Sequence, residues 1–294
     1  MPAPDGVVVT TGRALAAAEH VLAAAGSADA RREARRIAAA VTGRPAGALW
    51  LMRDQPLAPE LAHRLVAAAA AHAGGEPVAY ATGRIGFRTL ELDCDARAFI
   101  PRPETEGLID LVLFAGARSL ASGGLAADLG TGSGCLALSL AVEGRFERVV
   151  AVERDRAAAA LARHNVARIR PRTPVDVRDG DWLGPLGDAH YRVIVANPPY
   201  LTDAEWEALE PAVRDHEPRA ALASGTNGLD ATRAILTGAR RYLEPGGVVA
   251  LEIDERRAGA VRDIASSAGW RSVSIHEDLF GRPRYAVVVA EETG

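Results

Sequence analysis

The sequence predicts an α/β protein, a mainly parallel β-sheet covered by helices and preceded by a small helical bundle. Three observations carry this. From Leu125 onward, short apolar segments alternate with helical stretches. The first eighty or so residues show apolar positions at helical spacing, punctuated by Pro and Gly. Between these regions lies a short run of alternating apolar and polar residues. A length of 294 residues accommodates this as more than one unit. The expected division is a bundle over residues 1–83, a β-hairpin linker over 84–103 and a sheet domain over 104–294.

Taken in order, the bundle reads as three short helices. Arg13–Ala25 is rich in Ala and Leu and ends before Gly26-Ser27. Ala28–Val41 places Ile37 and Val41 on one face with Arg at other positions. Leu57–Ala73 repeats the pattern through Leu61, Leu65 and Val66, from Pro56 and Pro59 to Gly74-Gly75. His20, His63 and His72 lie on these helices without metal-ligand spacing, and no metal is expected. Phe87–Asp93 alternates as a strand does, and Ala98–Ile100 is a second short strand candidate. Pro101-Arg102-Pro103 stiffens the exit, and Glu104-Thr105-Glu106 opens a helix to about Leu120. Candidate sheet strands follow at Ala126–Leu129, Arg148–Val152, Val175–Val177, Tyr191–Ala196, Gly247–Ile253, Arg271–Ile275 and Arg284–Ala290.

Composition excludes several classes. The net charge is −4, and all 34 basic residues are Arg, so there is no basic excess of the kind nucleic-acid binders carry. No apolar run reaches the roughly 18 residues a bilayer span needs. The opening MPAPDGVVVT lacks a basic start and an apolar core, so no secretory signal is expected. Cys94 and Cys135 form no disulfide framework and fit a reducing cytoplasm as buried thiols.

In sheets of this kind, ligands bind beyond the carboxyl ends of the strands. After the first sheet strand comes Asp128-Leu129-Gly130-Thr131-Gly132-Ser133-Gly134. Glycines allow a tight strand-to-helix turn and a close ligand approach, and the helix start offers free N–H groups. The spacing is G-x-G-x-G rather than the G-x-G-x-x-G of a dinucleotide site, which disfavours a nicotinamide-dependent dehydrogenase. Glu153 ends the second strand, where nucleotide-type folds keep a ribose-binding acid. After the third strand, Asp181 and Trp182 suit an adenine, through its amine and its ring face respectively.

The fourth strand runs into Asn197-Pro198-Pro199-Tyr200. Two prolines fix φ and remove two donors, which makes a rigid turn with free carbonyls. Asn197 adds a side-chain carbonyl, and Tyr200 can pack on a planar group. Such acceptors can hold an –NH₂ by its hydrogens, orient its lone pair and support the positive charge that develops on nitrogen during alkylation.

With these runs, and with Glu76-Pro77-Val78-Ala79-Tyr80 and Ile100-Pro101-Arg102-Pro103-Glu104-Thr105-Glu106, most of the chain resembles the HemK/PrmC family of class I S-adenosylmethionine-dependent methyltransferases. That resemblance implies a Rossmann-like, seven-stranded methyltransferase sheet with the N-terminal bundle joined by a β-hairpin. It implies methyl transfer from S-adenosyl-L-methionine, leaving S-adenosyl-L-homocysteine, to the side-chain N5 of the glutamine in the Gly-Gly-Gln motif of class-1 peptide chain release factors. Gly130, Thr131, Gly132, Ser133 and Gly134 would cradle the methionine end. Glu153 would bind ribose, Asp181 and Trp182 would sit at adenine, and Asn197 would border the cofactor. Asn197, Pro198, Pro199 and Tyr200 would hold the glutamine amide, with Asn197, Pro198 and Tyr200 as the catalytic set, and Arg102 would help shape the pocket. The bundle would recognise the protein substrate. A monomer in the cytoplasm is expected, with no membrane and no direct nucleic-acid contact. Two runs depart from the family pattern, His216-Glu217-Pro218 and Leu251-Glu252-Ile253-Asp254-Glu255-Arg256-Arg257. The alternative is an amino methyltransferase of another substrate, such as adenine N6 in nucleic acid or a different amide or amine.

Overall fold

The structure is a computed structural model that describes residues 9–114 and 123–291. Its contacts divide the chain into two compact units, one up to Ile85 joined by Glu210–His216, the other Gly86–Leu209 with Glu217 onward.

The first unit contains α1 (Thr11–Ala24), α2 (Ala30–Thr42), α3 (Ala46–Leu51), α4 (Pro59–Ala73) and α5 (Val78–Thr82). Thr10 and Asp29 cap α1 and α2, their side chains accepting from the N–H of Arg13 and Arg32. Leu22, Ile37, Leu49 and Leu65 fill the core between buried alanines, whose small side chains let the helices approach. Among the described residues, five helices replace the three expected. The two extra ones are six and five residues long, too short to show a period of 3.6.

The chain then forms a two-stranded hairpin of β1 (Arg84–Phe87) and β2 (Leu90–Asp93). This corrects two expectations. Phe87–Asp93 is not one strand, because it contains the turn, and Ala98–Ile100 is not a strand. The cause is Arg88, which adopts a left-handed φ of 52°. Its N–H donates to Glu106 Oε1 at 2.8 Å, and its guanidinium meets Glu143 at 2.7 Å and Asp110 at 2.8 Å. Those distant carboxylates set the turn position, and local alternation does not report them.

The second unit holds α6 (Pro103–Phe114), β3 (Leu125–Leu129), α7 (Cys135–Glu143), β4 (Arg148–Glu153), α8 (Arg156–Ile169), β5 (Val175–Asp179) and β6 (Tyr191–Ala196). Two short helices follow, α9 (Asp203–Glu207) and α10 (Pro211–Arg214), the latter within the segment grouped with the first unit. Then come α11 (Asp230–Gly238), β7 (Leu243–Glu252), α12 (Ala258–Ser267), β8 (Val273–Glu277) and β9 (Pro283–Val289). The expected extension of α6 to Leu120 lies outside the described residues.

The seven strands form one sheet in the order β5-β4-β3-β6-β7-β9-β8. It is parallel except for β9, which runs antiparallel to both neighbours. All seven expected sheet strands are present, and the sheet is mixed, Rossmann-like and flanked by helices. Val149, Val150, Val193 and Ile194 are buried, as strands covered on both faces require. The order reverses between β3 and β6, where Asp128 pairs in register with Ala151 and Val195. This register brings the carboxyl ends of β3, β4 and β6 to one edge of the sheet. No helix among the described residues is long and apolar enough to cross a membrane.

Candidate active site

The loops that follow β3, β4, β5 and β6 line one cavity of about 370 Å³. That size suits a small-molecule site, and its place is the strand-order switch where α/β sheets bind ligands.

On the β3 side, Asp128 is fully buried and ties the loop to the helix that follows. Its Oδ2 accepts from the Thr131 hydroxyl at 2.5 Å and from the Ala137 N–H at 3.0 Å. Burial pushes this carboxyl up to about 7. The loop turns through left-handed glycines, with φ of 74° at Gly130 and 54° at Gly132. A Cβ on Gly130 would stand 3.3 Å from the Trp182 ring, so the glycine lets the indole lie against the loop backbone. Gly130, Thr131, Gly132 and Ser133 line the cavity. Gly134 does not. It caps α7 and packs by Leu138 and Ala162. Asp128 Oδ1 is buried with no hydrogen-bond partner among the described residues, and the buried Ser133 hydroxyl lies by the Cys135 thiol.

Glu153, at the end of β4, reaches across the same loop. Its Oε2 accepts from the Gly132 N–H and its Oε1 from the Asp155 N–H, both at 2.9 Å. These bonds aim the carboxylate and leave it further lone pairs. After β5, Trp182 takes a left-handed φ of 43°, which is costly for an aromatic residue and holds its ring over the cavity. Asp181 also lines the cavity, is exposed, and faces Arg154 at 3.9 Å.

On the β6 side, Asn197 and Pro199 line the cavity, whereas Pro198 is buried behind them. The Asn197 amide donates from Nδ2 to Thr105 Oγ1 at 3.0 Å. Thr105 in turn donates to Glu252 Oε2 at 2.7 Å. No described residue donates to Asn197 Oδ1. The Tyr200 ring does not line the cavity. Its hydroxyl faces Glu252 Oε1 at 3.4 Å, and burial pushes the phenol well above its ordinary value. Burial likewise pushes Glu252 up to about 7. The turn is clamped from outside. Leu201 N–H donates to Leu222 O at 2.9 Å, Leu201 O accepts from Ser224 N–H at 2.8 Å, and Gly228 has no Cβ where the Tyr200 carbonyl approaches.

Arg102 does not line the cavity either. It lies over the Phe99 ring at 4.5 Å and pairs with buried Glu217, which also accepts from the Ile100 N–H at 3.2 Å. Phe99 and Pro101 form the wall, so Arg102 acts on the cavity through them. Sequence reasoning left out Thr105, Phe99, Glu217 and Glu252 as site residues. The only local signal for Thr105 was its place two residues beyond the Pro-Arg-Pro run. Among the described residues, no group of three or more His, Cys, Asp or Glu could hold a metal ion.

One cavity thus joins a glycine turn and a carboxylate to a free amide carbonyl. Thr105 and Pro199, beside Asn197, carry no titratable group, so this end can hold an amine or amide but offers it no carboxylate or imidazole base.

A family profile described as "PrmC N-terminal domain" matches residues 13–83, and one described as "Methyltransferase small domain" matches residues 113–214. The chain is 40% identical to the release factor glutamine methyltransferase of Cereibacter sphaeroides over 92% of its length and 95% of that protein. It is 38% identical to that of Streptomyces coelicolor over the same shares. Among solved structures, a methyltransferase from Pyrococcus furiosus aligns with a TM-score of 0.52 at 20% identity, over 70% of this chain and 91% of that one. The hMettl16 catalytic domain in complex with a MAT2A 3'UTR hairpin aligns with a TM-score of 0.52 at 14% identity, over 80% of this chain and 83% of that one. These two share the fold. The sequence relatives, matched almost end to end, are closer, and with them the chain belongs to the release factor glutamine methyltransferase family.

Proposed function

We propose that the protein transfers a methyl group from S-adenosyl-L-methionine to the side-chain amide nitrogen of the glutamine in the Gly-Gly-Gln motif of class-1 peptide chain release factors, as a monomer in the cytoplasm. The observation that carries this reading is Asn197, which lines the same cavity as the glycine turn and whose Oδ1 has no partner among the described residues. The names of the relatives favour a release factor over nucleic acid or another amine.

The residues present fit the cofactor. The Gly130–Gly132 turn is a cradle that side chains would fill, and Asp128 Oδ1 is a buried polar atom without a partner among the described residues. Glu153 would take the ribose hydroxyls, Trp182 the face of the adenine and Asp181 its amine. Bound there, S-adenosylmethionine supplies an electrophilic methyl group on a sulfonium.

The chain's own residues do the rest by position. A carboxamide nitrogen is a poor nucleophile because its lone pair is shared with the carbonyl. Asn197 Oδ1 would accept one of its two N–H bonds and a main-chain carbonyl of the Asn197–Pro199 turn the other, turning the lone pair toward the cradle. As the N–CH₃ bond forms, the methyl–sulfur bond would break and leave the thioether S-adenosyl-L-homocysteine, and the cationic nitrogen would then release one proton to solvent water. The same acceptors are better partners for that cationic state than for the neutral one, so they lower the barrier. Pro198 and Pro199 keep them from collapsing onto other donors. Phe99 and Pro101, braced by Arg102 and Glu217, close one wall.

Mass spectrometry of a purified release factor incubated with the enzyme and isotopically labelled S-adenosylmethionine tests this. The proposal expects one added methyl group, on the Gly-Gly-Gln glutamine. A methyl group elsewhere, or none, contradicts it.

A further inference from the structure

We infer that Thr105 and Glu252 are positioning residues whose hydrogen-bond chain decides which end of the Asn197 amide faces the cavity. The inference rests on the reaction proposed above and deepens it. The two ends of a carboxamide have nearly the same shape, so packing alone does not choose between them, and the hydrogen-bond network must.

The choice follows from counting protons. Thr105 has one hydroxyl proton. Its Oγ1 lies 2.7 Å from Glu252 Oε2 and 3.0 Å from Asn197 Nδ2. That one proton is given to Glu252 Oε2, the shorter of the two contacts, so the Thr105 oxygen is left as an acceptor toward Asn197. Of the two ends of Asn197, only the NH₂ can donate to it. Oδ1 is thereby turned to the cavity. The opposite orientation would need Thr105 to donate to Asn197, which would take the Thr105 proton away from Glu252 and leave it, among the described residues, only the Tyr200 hydroxyl at 3.4 Å as a side-chain donor. It would also present an NH₂ to the substrate's NH₂, donor against donor.

The chain is anchored at both ends. Glu252 closes β7, in the sheet core. Thr105 lies in the first turn of α6, with its N–H donating to Arg102 O at 3.1 Å. Tyr285, from β9, donates its hydroxyl to Glu104 O at 2.6 Å, in a space that Gly107 leaves open by having no Cβ. Thr105 and Glu252 are 1% and 2% exposed, so water does not compete for either bond. Residues 105, 197 and 252 come from three separate elements, and the sequence shows no periodicity that links them.

The test compares Thr105→Val, which keeps the shape and removes the hydroxyl, with Thr105→Ser, which keeps the hydroxyl. Each is assayed on the full chain with a release factor and S-adenosylmethionine. Thr105→Val is expected to lower kcat by about 10–100-fold, the range that loss of an orienting partner produces at metal sites. Cofactor Kd by titration should stay within about 2-fold of wild type, and Thr105→Ser should restore most of kcat. A purely structural role would instead weaken cofactor binding or lower the melting temperature in step with kcat. If Thr105→Val does not fold, Thr105→Ala against Thr105→Ser makes the same comparison. Wild-type kcat in the variant without a hydroxyl, or equal loss in Thr105→Ser, overturns the inference while the reaction stands. Absence of methyl transfer by the wild-type protein overturns the reaction and the inference with it.

Discussion

At the β3–β5 end of the cavity, main-chain groups and left-handed glycines set the shape. At the β6–β7 end, side chains hold side chains. Glu153 is aimed by two backbone N–H groups and the Gly130–Gly132 turn by its own torsions. Asn197 is aimed by Thr105, and Thr105 by Glu252. The first arrangement makes a binding surface whose shape is set largely by the backbone. The second makes a single acceptor whose direction depends on a chain of three residues. Substitutions at the two ends should therefore separate binding from turnover.

The largest expected effect is at the β6 end. Asn197→Ala should lower methyl transfer by about 10²–10³-fold, as removal of one transition-state hydrogen-bonding group does elsewhere. Cofactor affinity, measured by titration, should hardly change. At the other end, Glu153→Ala should weaken cofactor binding by about 1.5–3 kcal/mol, the worth of charge-assisted hydrogen bonds. Its kcat at saturating cofactor should stay close to wild type. An unchanged titration would remove Glu153 from the ribose site and blur the contrast.

A third variant probes the clamp on the proline turn. Gly228 has a φ of 70°, and a Cβ there would press on the Tyr200 carbonyl and on Arg257. Gly228→Ala should cost about 2 kcal/mol of stability, from left-handed strain and backbone contact together. It should lower kcat more than it weakens the cofactor, which kinetics beside a thermal melt would show.

The smallest effect sharpens the comparison through pH. Asp128, at the cofactor end, and Glu252, at the acceptor end, are both raised to about 7 by burial. The folded protein therefore keeps protons that the unfolded chain releases near pH 4. Their contribution to stability is fully present below that pH and is lost as pH rises through about 7. Denaturant titrations should show stability falling between pH 5 and 8. Asp128→Asn and Glu252→Gln should each flatten part of that slope, and the larger change marks the end with the more strongly perturbed carboxyl. A slope unaltered by both would contradict the account of burial.

What was legible in the chain follows the same division. The Asp128–Gly134 turn and the Asn197–Tyr200 turn could be read because glycine and proline encode backbone geometry locally. The sheet strands could be read because buried parallel strands are runs of Val, Ile, Leu and Ala. The Asn197–Thr105–Glu252 chain could not, since its members are up to 147 residues apart and meet only through the sheet. The hairpin register was hidden for a similar reason. Arg88 turns where three carboxylates on α6 and α7 hold it, whereas alternation alone carries the strand through it. Arg102 and Tyr200 were read as pocket residues from their motifs. Phe99 and Glu252, their partners, explain why one braces a wall and the other faces away.

The most direct test of the divided cavity is a paired measurement of cofactor Kd and of kcat at saturating cofactor for Asn197→Ala and Glu153→Ala. The account predicts opposite patterns, with turnover lost at normal affinity in the first and affinity lost at normal turnover in the second. Near-normal kcat in Asn197→Ala would contradict it.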